Sequence, residues 1–174
     1  MRNWNDYKTT YRSEPDIFDF ARVGDFRGLV NILSQHTEID LDAKNNRGYS
    51  PLMLAVYNGE RDFCEALLRS GADVNSMDFM KNTVLMASAF KGNVEIIKLL
   101  LQFGAITTNR NKTNMNVRDW ALMFGRTEAV QYLDNTFPTL VAASKIKNFI
   151  RFIGLSFLML KPRIQSQSRT NRYS

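Results

Sequence analysis

The chain repeats itself at a step of 33 residues. The stretch LLRSGADVN, from Leu67 to Asn75, returns as LLLQFGAITTN from Leu99 to Asn109. Gly71 and Gly104 are 33 apart, and so are Gly59, Gly92 and Gly125. Ser50 pairs with Thr83 and Leu52 with Leu85 at the same step, while Asp62, Glu95 and Glu128 form one series and Leu67, Leu100 and Leu133 another. A fixed period shared by this many independent positions is the mark of a solenoid, in which each unit stacks on the next.

Each unit has its own physical logic. In SPLMLAVYNG, Ser50 is placed to cap a helix and Pro51 to occupy its first turn. Gly59 then stops this short helix. ERDFCEALLRSG opens a second helix with acids at its positive end, and Phe63, Cys64, Ala66 and Leu67 fall on one face. Gly71 ends that helix, and the polar ADVNSMDFMKN carries the chain out and back. A single helix pair cannot bury its own apolar face, but stacked pairs bury it between them.

SPLMLAVYNGERDFCEALLRSGADVN and TVLMASAFKGNVEIIKLLLQFGAITTN resemble ankyrin repeats. That family shows a T-P-L-H-x-A helix start, a glycine, an I-V-x-L-L helix and a G-A-D-x-N exit. The resemblance is specific for residues 42–109 and weaker for 110–134. A degenerate unit, DIFDFARVGDFRGLVNIL from Asp16 to Leu33, precedes them. The resemblance implies an all-α ankyrin-repeat solenoid: stacked helix-turn-helix units with extended loops and a C-terminal capping helix. The expected divisions are an N-terminal extension (1–15), a degenerate capping repeat (16–41), repeats at 42–74, 75–107 and 108–134, a helical cap (135–161) and a disordered basic tail (162–174). The capping repeat is expected to present a polar outer face.

The chain departs from the family pattern at several positions. Met53, Met86 and Asp119 stand where the family has histidine, and Val84 and Val117 where it has proline. Without the Thr–His tie between repeats, Met53 and Met86 are expected to stack as apolar contacts. Arg118 stands where Leu52 and Leu85 sit, which suggests a third first helix that is partly exposed or covered by the tail. Lys81 occupies the turn position that Gly48 fills one repeat earlier.

Charge is divided unevenly. Residues 1–134 carry 16 basic and 17 acidic side chains, whereas 135–174 carry seven basic and no acidic ones. Electrostatic partner arguments therefore attach to the tail. Within it, Ile146, Ile150, Ile153, Phe157 and Leu160 form a helical stripe flanked by cations. Three readings stay open: a cap on the last repeat, a helix on an anionic membrane surface, or a helix offered to a partner. The apolar run is too short to cross a bilayer.

No catalytic or phosphate-binding motif is present, and no enzymatic activity, cofactor or metal is expected. The single cysteine, Cys64, lies on a core-facing position, and the single histidine, His36, lies in a loop. One cysteine cannot form an internal disulfide, and the opening MRNWNDYKTTYRSEPD has no apolar run of the kind a secretory signal needs, so the expected setting is cytoplasmic. An organised basic face with interleaved aromatics, as nucleic-acid binding requires, is missing, and no small-molecule substrate is expected.

The family uses loop tips and first helices to line a concave groove that contacts partner proteins. Carried over by position, the candidate protein-binding residues are Arg47, Tyr49 and Tyr57 in the first full repeat. They are Met77, Phe79, Met80, Phe90 and Lys91 in the second, and Arg110, Lys112 and Phe124 in the third. Met77, Phe79 and Met80 are unusual in a loop. Either they form an exposed apolar patch with Tyr57 and Phe90, or Phe79 and Met80 fold back on the neighbouring loop.

Overall fold

A computed structural model describes residues 16–35 and 39–140. The expectations placed on 1–15, on His36 and on the C-terminal segment from 141 onward lie outside the described residues. The chain divides into two compact units, one ending at Tyr132 and the other beginning at Leu133.

The first unit is built of helix pairs. They are α1 (Ile17–Val23) with α2 (Phe26–Gln35), α3 (Pro51–Asn58) with α4 (Arg61–Arg69), and α5 (Val84–Lys91) with α6 (Val94–Gln102). The series continues with α7 (Val117–Met123) and α8 (Thr127–Thr136). Among the described residues there is no strand, only an isolated antiparallel bridge between Met77 and Thr83. In the second unit the described part is 133–140, where the Phe137 N–H donates to the Leu133 carbonyl at 2.8 Å.

The first helices start where a side chain can satisfy an orphan backbone donor. The N–H of Met53 donates to Ser50 Oγ at 3.3 Å, that of Met86 to Thr83 Oγ1 at 3.1 Å, and that of Asp119 to Asn116 Oδ1 at 2.9 Å. Each such cap stabilises its helix by about 1 kcal/mol. Pro51 sits in the first turn of α3, and Gly59 and Gly92 take left-handed conformations that end α3 and α5. Asp62, Glu95 and Glu128 all lie in the first turn of a second helix, where the helix dipole favours them.

Packing follows the repeat. α1 packs on α3, α3 on α5 and α5 on α7, while α4 packs on α6 in a second layer. A first helix is therefore sandwiched between two neighbours and its own partner. This is why Pro51–Val56 and Val84–Ala89 are buried without interruption, with no polar face. α4 and α6 are amphipathic and bury Phe63, Cys64, Leu67 and Leu68, and Ile96, Ile97, Leu99 and Leu100. Ala66, expected inside, is only half-buried, and Leu68 takes its place. Met53 and Met86 are fully buried and pack as apolar residues in the core.

Ties between repeats are polar and lie elsewhere. The Asp73 N–H donates to Asp42 Oδ1 at 3.0 Å, and the Ile106 N–H donates to Asn75 Oδ1 at 2.9 Å. Asp42 and Asn75 are themselves one repeat apart. The same bridge therefore recurs, contributing about 1 kcal/mol each time.

Two end features differ from the middle. α7 buries only Val117 and Ala121, leaving Leu122, Met123 and Phe124 exposed, and Arg118 is half-buried. The exposed surface of the first pair mixes polar residues, Arg22, Arg27, Asn31, Ser34 and Gln35, with apolar ones. Val23 on α1 and Phe26 and Val30 on α2 are its exposed apolar residues, and the Phe26 ring still meets Phe63 of α4 edge-on at 5.9 Å between centroids.

Candidate functional site

The loops that carry the candidate residues share one internal device. Asn45, Asp78 and Asn111 recur at the repeat step, and each side-chain oxygen accepts two backbone N–H groups further along its loop. The donors are Arg47 and Tyr49 at 2.9 and 3.0 Å, Met80 and Asn82 both at 2.8 Å, and Thr113 and Met115 both at 3.0 Å. Such turns hold a loop in one shape without regular structure. The tip then reverses through a left-handed residue: Gly48 (φ 79), Lys81 (φ 59) or Asn114 (φ 61).

The loops are also tied sideways. The Lys112 N–H donates to the Met80 carbonyl at 2.9 Å, and Asn111 Nδ2 donates to Asn82 Oδ1 at 2.8 Å. Phe79 lies directly over Gly48, so close that a Cβ on Gly48 would stand 2.8 Å from its ring. Phe79 thus folds against the preceding loop, yet it remains 61% exposed, and Met80 remains 49% exposed. Met77 is half-buried at its bridge to Thr83.

Beside the loops runs a ladder of aromatic rings. Tyr49 stacks on Tyr57 at 5.8 Å between centroids, and Tyr57 meets Phe90 at 5.5 Å. Phe90 then meets Phe124 edge-on at 4.5 Å and Trp120 at 6.3 Å, and Trp120 meets Phe124 at 5.4 Å. Tyr57 and Phe90 occupy the same place on α3 and α5, one repeat apart, so stacking the helices brings them together. Edge-on and offset pairs of this kind add about 0.5–1.5 kcal/mol each beyond burial. Burial, followed by Tyr49 and then Asp78, pushes the Tyr57 hydroxyl above its usual range, so it stays protonated and able to donate.

Four of the eleven candidates, Tyr49, Tyr57, Phe90 and Phe124, share this ladder. Trp120 belongs to it and was not among the expected residues. One signal points to it: it lies four residues before Phe124, on the same side of the helix. Its Nε1–H is buried and finds no acceptor among the described residues.

The cationic candidates are spread out. Arg47 and Lys112 are exposed on the first and third loops. Arg110 is held within its own loop, donating to the Asn114 carbonyl at 3.0 Å and lying 3.6 Å from Asp119. Lys91 is exposed at the end of α5 and lines a separate hollow of about 220 Å³ with Arg126 and Glu128. A larger groove of about 570 Å³ lies at the first loop, lined by Phe18, Arg22, Lys44, Arg47 and Tyr49 among others.

The described residues hold no grouping of histidine, cysteine or acids that could ligate a metal. Cys64 is fully buried, and burial, then Glu60, pushes its thiol up to about 12, which suits a core residue and not a nucleophile. Asp62 and Glu95 are occupied by Arg61 at 3.0 Å and Lys98 at 2.8 Å. No helix among the described residues is long and apolar enough to cross a membrane.

The family model described as ankyrin repeats (3 copies) matches residues 20–78 and 77–139. Rat ankyrin repeat and SAM domain-containing protein 6 is 33% identical over 125 residues, which is 70% of this chain and 14% of that protein. Chicken inversin is 40% identical over 78 residues, 45% of this chain and 7% of inversin. The mouse inactive serine/threonine-protein kinase TEX14 is 29% identical over 159 residues, 90% of this chain and 10% of that protein. The chain thus spans only a small part of the length of these relatives. Ankyrin repeats generally mediate protein–protein interaction and are generally non-catalytic.

Proposed function

From the premise that this chain belongs to the ankyrin-repeat family, we propose that it is a non-catalytic recognition module of the cytoplasm. It binds a partner protein through the groove formed by its loop tips and first helices. The observation that carries this reading is the aromatic ladder from Tyr49 to Phe124, continuous over three successive repeats. Aromatic side chains dominate the energetics of protein interfaces because they bury large area at small entropic cost. Phe79 and Met80, exposed on the middle loop, widen the apolar surface on offer. Arg47, Lys91 and Lys112 supply charge around it, as an interface rim requires.

The test is a paired capture experiment with the whole chain and its Phe90→Ala variant as baits. Phe90 touches Tyr57, Trp120 and Phe124, so its removal empties the middle of the ladder. A partner held by the first bait and released by the second, with unchanged far-ultraviolet circular dichroism, supports the proposal. Equal capture by both baits refutes it.

A further inference from the structure

We infer that the partner contributes an extended acidic segment that carries an aromatic or aliphatic side chain beside its carboxylates. This deepens the recognition reading above and rests on it. The inference comes from the continuity of two features. The groove of about 570 Å³ at the first loop is lined by three cations, Arg22, Lys44 and Arg47, and none of its lining residues is acidic. Tyr49 forms part of the same wall and is also the first rung of the aromatic ladder, 5.8 Å from Tyr57.

The cations differ in how far they are already satisfied. Arg22 is paired with Asp19 at 2.5 Å. The Lys44 ammonium donates to the neutral Ser76 hydroxyl and pairs with no carboxylate among the described residues. Arg47 is exposed at the loop tip and has no carboxylate partner among the described residues. Asp42 and Asp78 do not line the groove; their carboxylates accept backbone N–H groups, from Asp73 and from Met80 and Asn82. The groove is therefore a positive hollow that opens onto an apolar track. A guanidinium and an ammonium at one end select carboxylates, and rings at the other select apolar side chains. From Tyr49 the ladder advances in centroid steps of 5.8, 5.5 and 4.5 Å. Five residues of extended chain or fewer, at about 3.3 Å each, cover those steps.

The test is selection from a displayed library of random peptides on three baits: the whole chain, Arg47→Glu and Phe90→Ala. Arg47→Glu leaves the Lys44–Ser76 bond in place, and Lys44→Gln serves as a second, milder charge variant should the first misfold. The expected result is that the whole chain enriches peptides with clustered Asp or Glu next to Phe, Trp or Leu. Recovery of those peptides should fall about tenfold or more on Arg47→Glu and decline as salt is raised. Enrichment of neutral or basic peptides, equal recovery on Arg47→Glu, or no enrichment overturns the inference. So does displacement of the peptides by heparin at matched charge, since that describes a general anion site. Peptides kept by Arg47→Glu but lost on Phe90→Ala sink the charge assignment and leave the recognition reading standing. Peptides kept by both variants sink both.

Discussion

Replacing Gly48 and Gly59 separately by alanine isolates what the sideways loop contact contributes. Both glycines have nearly the same left-handed conformation, with φ of 79 and 82. An alanine in that region costs about 1–2 kcal/mol, offset by about 0.4–1 kcal/mol because the unfolded chain also loses freedom. Those two effects are common to both sites and cancel in the comparison. The surroundings differ. A Cβ at Gly59 meets nothing within 4 Å, whereas one at Gly48 stands 2.8 Å from both the ring and the backbone nitrogen of Phe79. The ring can swing away, but the nitrogen belongs to a loop held by the Asp78 turn at 2.8 Å. Overpacking a fixed neighbour costs about 1–3 kcal/mol. Gly59→Ala should therefore destabilise by about 1 kcal/mol and Gly48→Ala by about 2–4 kcal/mol. Urea unfolding followed by circular dichroism at unchanged slope measures the difference. Equal midpoints for the two variants would refute the argument, because the contact with Phe79 would then carry no energy.

Lys81→Gly works the same turn in the opposite direction: relieving a lysine at φ 59 should stabilise the chain by about 0.5–1 kcal/mol. A lower urea midpoint would show that the lysine stem makes a contact worth more than the strain. For Cys64, whose thiol is pushed from 9.0 to about 12 by burial, the folded state keeps a proton that the unfolded state releases. That stability is fully present below the unfolded value of 9.0 and is lost as pH rises toward about 12. Native protein at about pH 8 should resist iodoacetamide and react only after unfolding, and rapid native labelling would contradict the burial.

Much of the fold was legible because it rests on short-range chemistry. Ser50, Thr83, Gly59 and Gly92 act within one helical turn, so their neighbours in sequence suffice to read them. The rotation of a helix about its axis is not a local property. The spacing placed Ala66 inside, but packing of α4 against α6 turned Leu68 inward instead. The same applies to Val23, Phe26 and Val30, whose exposure depends on what lies beside the first pair. The candidate binding residues were reached by position in the repeat, which found Tyr57 and Phe90 because they occupy equivalent places. Trp120 escaped because neither Leu54 nor Ala87, its equivalents, is aromatic.

The sequence by itself determined the repeat, its helix boundaries and the apolar continuity of its first helices, since each is written in a period or in a cap. Only the tertiary structure decided which rings meet, that Phe79 lies on Gly48, and that three cations line one groove beside Tyr49. The contacts of Phe79 with Gly48, Tyr57 with Phe90 and Phe90 with Phe124 join residues about one repeat apart in the chain. They depend on how closely neighbouring loops and helices settle, a distance set by the whole stack and not by any one segment.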